Sequence, residues 1–151
     1  MSECGTCARI AQRDAGSAPD WDAIVRFDDW DVVHSYDTSL LGWIVLVSRR
    51  HLESLDELTP GEARHLGELL RNISLFLKSH LGCAKTYVMQ FAEHPEHPHV
   101  HFHVVPRMAD IPVDCKGANV FRYLVVEDDE RVAEEAMNLL AIELRAWLAA
   151  G

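Results

Sequence analysis

The sequence has no long apolar run, few turn-forming residues and fewer basic than acidic residues. Because no stretch of 18 apolar residues occurs, we expect no membrane-spanning segment. The 151 residues include only 8 Gly and 6 Pro and are 48 % hydrophobic, which argues against collagen-like or disordered sequence and predicts one domain over residues 1–151. The formal net charge of −10 argues against sequence-independent binding of nucleic acid, which requires a basic surface.

Cysteine is also scarce, and the first residues lack the basic and apolar regions of a secretory signal. We therefore expect a cytoplasmic protein whose four cysteines are reduced rather than paired as disulfides. The Cys4-Gly5-Thr6-Cys7 motif is typical of a redox site or of half a metal site. A thioredoxin-like redox site needs a strand before the motif, and the few preceding residues cannot form one, so the pattern favours metal. We interpret Cys83 and Cys115 as small buried apolar side chains.

Apolar patterns and turn residues predict an α+β domain that combines an antiparallel sheet with two helices. A long helix is expected from the N-cap Thr59 to a stop at Gly82, with Glu62 completing a capping box. A second helix is expected from Asp128 onward, and residues 1–19 are expected to form a loose N-terminal segment. The predicted strands are Ala23–Phe27, Val32–His34, Trp43–Val47, Thr86–Phe91, His99–Val105 and Val120–Val126.

Histidines are concentrated before and within one predicted strand. Five of the nine lie within ten residues, and they are His94, His97, His99, His101 and His103. The last three alternate with apolar residues, so in a strand three imidazoles share one face. A neutral imidazole is a metal ligand, a general base or a nucleophile. Two interpretations follow: a metal site made by three histidines, as in cupin-like barrels, or one nucleophilic histidine oriented by its neighbours.

The run His99-Val-His101-Phe-His103-Val-Val-Pro-Arg closely resembles the signature of the histidine triad family of nucleotide hydrolases and transferases. Its Pro-Arg ending is similar to the branch that hydrolyses dinucleoside polyphosphates. The resemblance covers most of the chain, because the strand Trp43–Val47 and the basic residues and His51 after it follow the family order. It implies that the middle histidine, His101, attacks the α-phosphorus of a nucleotide and forms a covalent nucleotidyl-imidazole.

A second register is possible for the nucleophile. The segment His97-Pro98-His99 is similar to the His-Pro-His of the related hexose-1-phosphate uridylyltransferases, in which the second histidine attacks, here His99. The Val-Val-Pro-Arg flank matches only the frame of His101, which we favour.

The family resemblance also implies a fold, an activity and an assembly. The fold is a five-stranded antiparallel sheet with a long helix after the third strand and a C-terminal helix, in a homodimer. The implied activity is hydrolysis at the α-phosphate of an adenosine polyphosphate or nucleoside phosphoramidate. A nucleotidyl transferase or phosphorylase, or a non-catalytic nucleotide-binding module, is the alternative. The implied substrate contacts are Gln90, His99 and His103 at phosphate and Asp37 at ribose.

A zinc site is implied by the same resemblance. Members of the superfamily with an N-terminal Cys-x2-Cys bind zinc through that pair and two histidines. The matching residues here are Cys4, Cys7, His51 and His99. Four protein ligands leave no open coordination position, so the expected zinc is structural rather than catalytic.

Overall fold

The computed structural model describes residues 3–151 and contains three α-helices and five strands. No helix among these residues has the length and apolar character needed to cross a membrane. The predicted α+β class with a five-stranded antiparallel sheet is confirmed. The helices are α1 (Gly5–Asp14), α2 (Pro60–Leu81) and α3 (Glu134–Ala150), and the strands are β1 (Val25–Arg26), β2 (Trp30–His34), β3 (Ile44–Ser48), β4 (Lys85–Met89) and β5 (His101–Arg107).

The sheet has the order β1-β2-β3-β5-β4, with every neighbouring pair antiparallel. The histidine strand β5 therefore lies inside the sheet, between β3 and β4. Its residue His101 is opposite Val47 of β3, and His103 is opposite both Val45 of β3 and Met89 of β4. Because opposite residues share a face, these side chains all lie on one side of the sheet.

The other side of the sheet is packed against α2 and α3. Helix α2 begins at the predicted cap, where Thr59 and Glu62 form a reciprocal capping box, and it ends at Gly82 in the left-handed conformation with φ 66°. Apolar residues at alternating spacings of three and four predict that Ala63, Leu66, Leu70, Ile73 and Leu77 face the core, but Ala63 is exposed and Leu70 only half-buried, whereas Leu69 and Phe76 are buried. The buried side chains of α2 are Leu66, Leu69, Ile73, Phe76 and Leu77.

Three sequence predictions about secondary structure are wrong. The N-terminal segment is not loose where it is described, because Gly5–Asp14 is α-helical; Met1 and Ser2 lie outside the described residues. The segment Val120–Val126 is not a strand, since Gly117–Tyr123 forms a 3-10 helix in which alternate residues are not buried on one face. Helix α3 begins at Glu134 rather than at Asp128.

The bounds of the histidine strand also differ from the prediction. It begins at His101 rather than His99 and continues through Pro106. The pairing with β3 ends at Val104, so Pro106 has a strand neighbour only in β4, opposite Thr86. A proline is tolerated where one side of the strand makes no ladder bond.

The two remaining cysteines differ in burial. Cys83 is buried, as predicted, with 3 % of its surface exposed. Cys115 is only partly buried, which corrects the prediction, because it lies in the short 3-10 turn Val113–Cys115.

A buried ionic network attaches helix α1 to the side of the sheet that carries His101 and His103. We call this side the open face. Arg13 donates to both the carbonyl and the carboxylate of Asp22 at 2.8 Å, and to Asp31 of β2 at 3.3 Å. Arg26 donates to the same Asp31 carboxylate at 2.8 Å. Ile10 packs on the apolar residues of this face. The network fixes the helix that carries Cys7 over the sheet.

Candidate active site and metal site

His101 is partly exposed at the start of β5, and its ring is oriented by the main chain. Its Nδ1 lies 2.7 Å from the carbonyl oxygen of His99. A carbonyl only accepts, so Nδ1 carries the proton and the neutral ring has its lone pair on Nε2. If His99 is a metal ligand, a backbone carbonyl is expected to orient His101, and this carbonyl has the required position.

His103 stands beside His101 on the same face, with ring centroids 5.0 Å apart and planes at 77°. The indole Nε1 of Trp43 donates to His103 Nδ1 at 2.9 Å. Burial, with a smaller contribution from His101, lowers the pKa of His103 to about 3. The ring is therefore neutral at ordinary pH. Phe121 packs against it edge-on at 5.4 Å.

His99 is fully buried, in contrast to its two neighbours. Its Nε2 donates to the carbonyl oxygen of Ser48 at 2.6 Å, so Nδ1 holds the lone pair. That Nδ1 lies 3.6 Å from the Sγ atoms of both Cys4 and Cys7. Burial lowers the pKa of His99, opposed by the bond to Ser48. The buried ring thus directs its Nδ1 at the two cysteines.

Four potential ligand atoms converge at this point. The Nδ1 of His51 is 3.3 Å from Cys7 Sγ, and the four ligand atoms all lie within 4.8 Å of one another. A tetrahedral zinc ion with bonds of about 2.3 Å to sulfur and about 2.0 Å to nitrogen places neighbouring S and N atoms roughly 3.5 Å apart. The sulfur–nitrogen distances therefore fit zinc. The cluster consists of Cys4, Cys7, His51 and His99.

Outer partners hold both histidines of the cluster in the tautomer that a metal requires. His51 Nε2 pairs with a carboxylate oxygen of Glu53 at 3.2 Å, and His99 Nε2 pairs with the Ser48 carbonyl. Each partner is an acceptor, so each ring directs an unprotonated Nδ1 at the cysteines. Burial, followed by the Cys4 thiol, raises the pKa of Cys7. A bound divalent cation would stabilise the deprotonated form of two neighbouring cysteines, which is otherwise unfavourable.

The turn before β5 is joined to the start of α1. The N–H of Gly5 donates to the carbonyl of Glu96 at 2.8 Å, and Thr6 Oγ1 is 3.0 Å from His97 Nδ1. A Cβ at Gly5 would stand 2.7 Å from a ring carbon of His97, so the contact requires glycine. His94, Glu96 and His97 also form a second, more exposed group of three potential ligand atoms. Within it the His94 Nδ1 accepts from the Glu96 N–H.

Two predicted substrate contacts lie outside the histidine pair. Gln90 directly follows Met89, the last residue of β4, which is paired with His103. It is therefore at the end of the sheet where the histidines are exposed. Asp37 lies in the loop after β2, where its carboxylate accepts from Ser35 Oγ at 3.3 Å. The structure does not bring Asp37 into contact with the histidines.

Sequence reasoning missed two features of the site. Trp43 precedes Val45 and Val47 at two-residue spacing, so the alternation of β3 could have placed it on the histidine face. Asp31 lies on the same face, opposite Val47, but its pairing with Arg13 joins residues 18 apart in different elements. No sequence pattern signals that pairing.

Comparison with known proteins identifies the family and the fold. A model of the HIT domain family matches residues 19–110, which include the histidine strand. No curated protein sequence matches significantly. The fold is similar to that of a zinc-bound histidine triad family protein from Mycobacterium smegmatis, with 18 % identity, coverage of 98 % of this chain and 96 % of the other, and a TM-score of 0.66.

Two further solved structures have the same fold. A hypothetical histidine triad nucleotide-binding protein from Sulfolobus tokodaii has 14 % identity, coverage of 95 % of this chain and 93 % of the other, and a TM-score of 0.68. A HIT-like protein involved in cell-cycle regulation from Bartonella henselae has 18 % identity, coverage of 91 % and 93 %, and a TM-score of 0.67. Such low identities show the fold alone. The family match spans more than half of the 151 residues, and the chain therefore belongs to the HIT domain family.

Proposed function

We propose that this protein is a nucleotide hydrolase that acts through a covalent nucleotidyl-histidine at His101. The observation that carries the proposal is the bond from His101 Nδ1 to the His99 carbonyl at 2.7 Å, which leaves Nε2 unprotonated on the open face. His99 is a poor candidate for the nucleophile, because it is fully buried and its nitrogens face Ser48 and the cysteines. The substrate class is an adenosine polyphosphate or a nucleoside phosphoramidate, acted on by a homodimer.

The chemistry proceeds in two displacements. His101 Nε2 forms a bond to the α-phosphorus while the bond from phosphorus to the leaving oxygen or nitrogen breaks, and the leaving group takes up a proton. Water then attacks the phosphorus and loses a proton to solvent, which balances the proton that the leaving group took up from solvent. The P–N bond breaks, its electron pair returns to Nε2, and a nucleoside monophosphate departs. The positive charge on the intermediate imidazole is stabilised by the Nδ1–H bond to the His99 carbonyl. One difficult displacement is replaced by two easier ones.

Neighbouring groups supply donors to the phosphate. His103 has its ring next to that of His101, and Gln90, which follows β4, is the second proposed donor. A donor placed where negative charge develops contributes about 3 kcal/mol to the transition state. Asp37, in the loop after β2, is the proposed ribose contact.

We also propose that Cys4, Cys7, His51 and His99 bind structural zinc. With four protein ligands the ion has no open position and supplies folding energy rather than an activated water. The main chain of His99 orients His101 while its side chain faces the cysteines. Binding at the cluster would therefore fix the carbonyl on which the nucleophile depends.

The test of catalysis is His101→Asn. We expect turnover of a dinucleoside polyphosphate and of a nucleoside phosphoramidate to fall by at least roughly 10³-fold, with the melting temperature almost unchanged, because the ring is partly exposed. The matched control is His80→Asn, an exposed histidine on α2, which should keep full activity. Undiminished turnover in the His101 variant contradicts the proposal.

Substrate and acceptor panels separate the alternative functions. Release of a nucleoside diphosphate when inorganic phosphate is added identifies a phosphorylase instead of a hydrolase. Tight binding of AMP without turnover of any substrate identifies a binding module. Trapping the wild-type protein with an alkaline denaturant during turnover should give a nucleotide attached to a histidine-containing peptide that spans His101, because the bond from phosphorus to imidazole survives in base and is hydrolysed in acid.

The test of the metal site is the metal content of purified variants. We expect about one zinc per chain in the wild type and in His101→Asn, and a loss of zinc in Cys7→Ser and in His51→Ala. The Cys7 variant should also melt at a lower temperature, because metal binding to the folded state contributes directly to stability. Zinc that is retained in Cys7→Ser but lost in His101→Asn would indicate the three-histidine metal site and overturn this assignment.

A further inference from the structure

Trp43 is buried at the entrance to β3 and makes a single polar contact with the active face. Its side chain has no exposed surface, and its indole Nε1 lies 2.9 Å from His103 Nδ1. The indole and imidazole rings meet edge-on, with centroids 5.7 Å apart and planes at 83°. Phe121 packs against both rings, at 5.7 Å from Trp43 and 5.4 Å from His103. Phe121 therefore lies against both partners of a partly buried hydrogen bond.

The chemistry of this pair determines the tautomer of His103. An indole N–H is a donor and never an acceptor, so His103 Nδ1 must hold a lone pair. A neutral imidazole then carries its single proton on Nε2. The same contact also fixes the rotation of the ring, because a half-turn would present a carbon to the indole N–H.

The two neighbouring histidines consequently have opposite polarity. In His101 the Nδ1–H is directed at the His99 carbonyl and Nε2 holds the lone pair. In His103 the lone pair is on Nδ1, directed at Trp43, and Nε2 holds the proton. One ring offers an electron pair and the next offers a hydrogen-bond donor, which are the two groups that attack on phosphorus requires.

We propose that Trp43 is a positioning residue that holds His103 in the Nε2–H tautomer, so that His103 donates to a phosphate oxygen while His101 attacks. The inference rests on the function proposed above for its catalytic consequence. Trp43 acts through its hydrogen bond to His103. Its effect is directed at the transition state, where the phosphate oxygens gain charge.

The first test measures the tautomer directly. Nitrogen-15 NMR of the wild-type holoprotein should show His103 with an unprotonated Nδ1 and a protonated Nε2, and His101 with the reverse. An Nδ1–H signal for His103 in the wild type overturns the proposal. This measurement requires no turnover, so it remains decisive if the proposed hydrolase activity is not found.

The second test removes the indole N–H. In Trp43→Phe we expect His103 to show averaged nitrogen signals and kcat to fall roughly five- to tenfold, with a smaller change in KM. The matched control is Trp30→Phe, which removes a buried indole N–H that donates to the Glu62 carbonyl at 3.1 Å on the opposite side of the sheet. That variant should lose stability but keep the His103 tautomer and kcat.

A substitution that retains the size of the ring covers the case in which Trp43→Phe does not fold. Replacing Trp43 by benzothienylalanine exchanges the N–H for sulfur and preserves the packing against Phe121. The same averaged His103 signals and the same fall in kcat support the proposal. A single unchanged Nε2–H tautomer together with wild-type kcat overturns it, whereas absent activity in the wild type refutes only the proposed hydrolase.

Discussion

The two faces of the sheet are formed by the same strands but are completed in different ways. On the face beneath α2 and α3, Leu46 is opposite Phe102, and both are part of one apolar core. On the other face, the adjacent residue of each strand takes part: Val47 lies between His101 and Asp31. The first face is closed by apolar packing, whereas the second combines an apolar centre with ion pairs and oriented imidazoles.

This difference shows how a single alternation can serve both stability and chemistry. The packed face tolerates rearrangement of similar volumes, because dispersion and apolar burial have little directional preference. The open face depends on hydrogen bonds and ion pairs, which require a defined geometry. A carbonyl orients His101, an indole orients His103, and guanidinium groups pair with Asp31. When one partner of such a contact is removed, the other partner is left without a hydrogen bond, and the loss in stability is large.

The largest effect that separates the faces is expected for Asp31→Ala. This change leaves the buried Arg13 without one of its two carboxylate partners and Arg26 without its closest one. Removing one member of a buried ion pair costs about 3 to 5 kcal/mol, because the remaining charge stays desolvated. Urea unfolding should show this loss, and α1 should become more accessible to protease.

The matched control for this variant is Asp114→Ala, which breaks an exposed ion pair to Arg122 at 3.0 Å. Exposed pairs contribute at most about 1 kcal/mol, so its unfolding should be almost unchanged. Equal losses in the two aspartate variants would show that burial does not distinguish the Asp31 network. Retention of full stability by Asp31→Ala would mean that α1 is held by Ile10 and the metal ligands alone.

Much of the fold is predictable from local signals. Helix α2 has a capping box at Thr59 and a glycine stop at Gly82, and both signals lie within a few residues of the ends that they determine. Helix α1 has no such signal, because Cys4 makes no side-chain cap and the helix is stabilised by Arg13 and Ile10 against distant residues. The apolar run Val120–Val126 is typical of a strand, yet Gly117–Tyr123 forms a 3-10 helix whose Phe121 packs against His103.

Part of the site is also predictable from the sequence, and part depends on contacts between distant residues. The two-residue spacing in the sequence already places His101 and His103 on one face, and the four zinc-site residues implied by resemblance do converge. The proton positions on the two rings are not encoded in that spacing. They follow from a carbonyl at His99 and an indole at Trp43, which reach the rings only after β3 and β5 have paired.

Acid sensitivity gives a smaller test, because burial keeps His34 on the packed face and His103 on the other face neutral. Burial lowers the pKa of His34 to about 4 and that of His103 to about 3. The unfolded chain titrates near pH 6.5, so below that pH it binds more protons than the folded chain, and stability falls as the pH is lowered. For His34 alone the loss between pH 6.5 and 4 amounts to about 3 kcal/mol.

The variant His34→Gln isolates the contribution of the packed face. His34 donates from Nδ1 to the Ser35 carbonyl and accepts at Nε2 from the Gly42 N–H, so protonation of Nε2 removes a bond as well as adding a buried charge. Urea unfolding at pH 7, 6, 5 and 4 should show the wild type losing its advantage over His34→Gln as the pH falls. Titration of carboxylates and of the zinc ligands affects both proteins equally and cancels in the difference. A difference in stability that stays constant across this range would contradict the lowered pKa of His34. It would mean that the folded chain protonates this histidine as readily as the unfolded chain does.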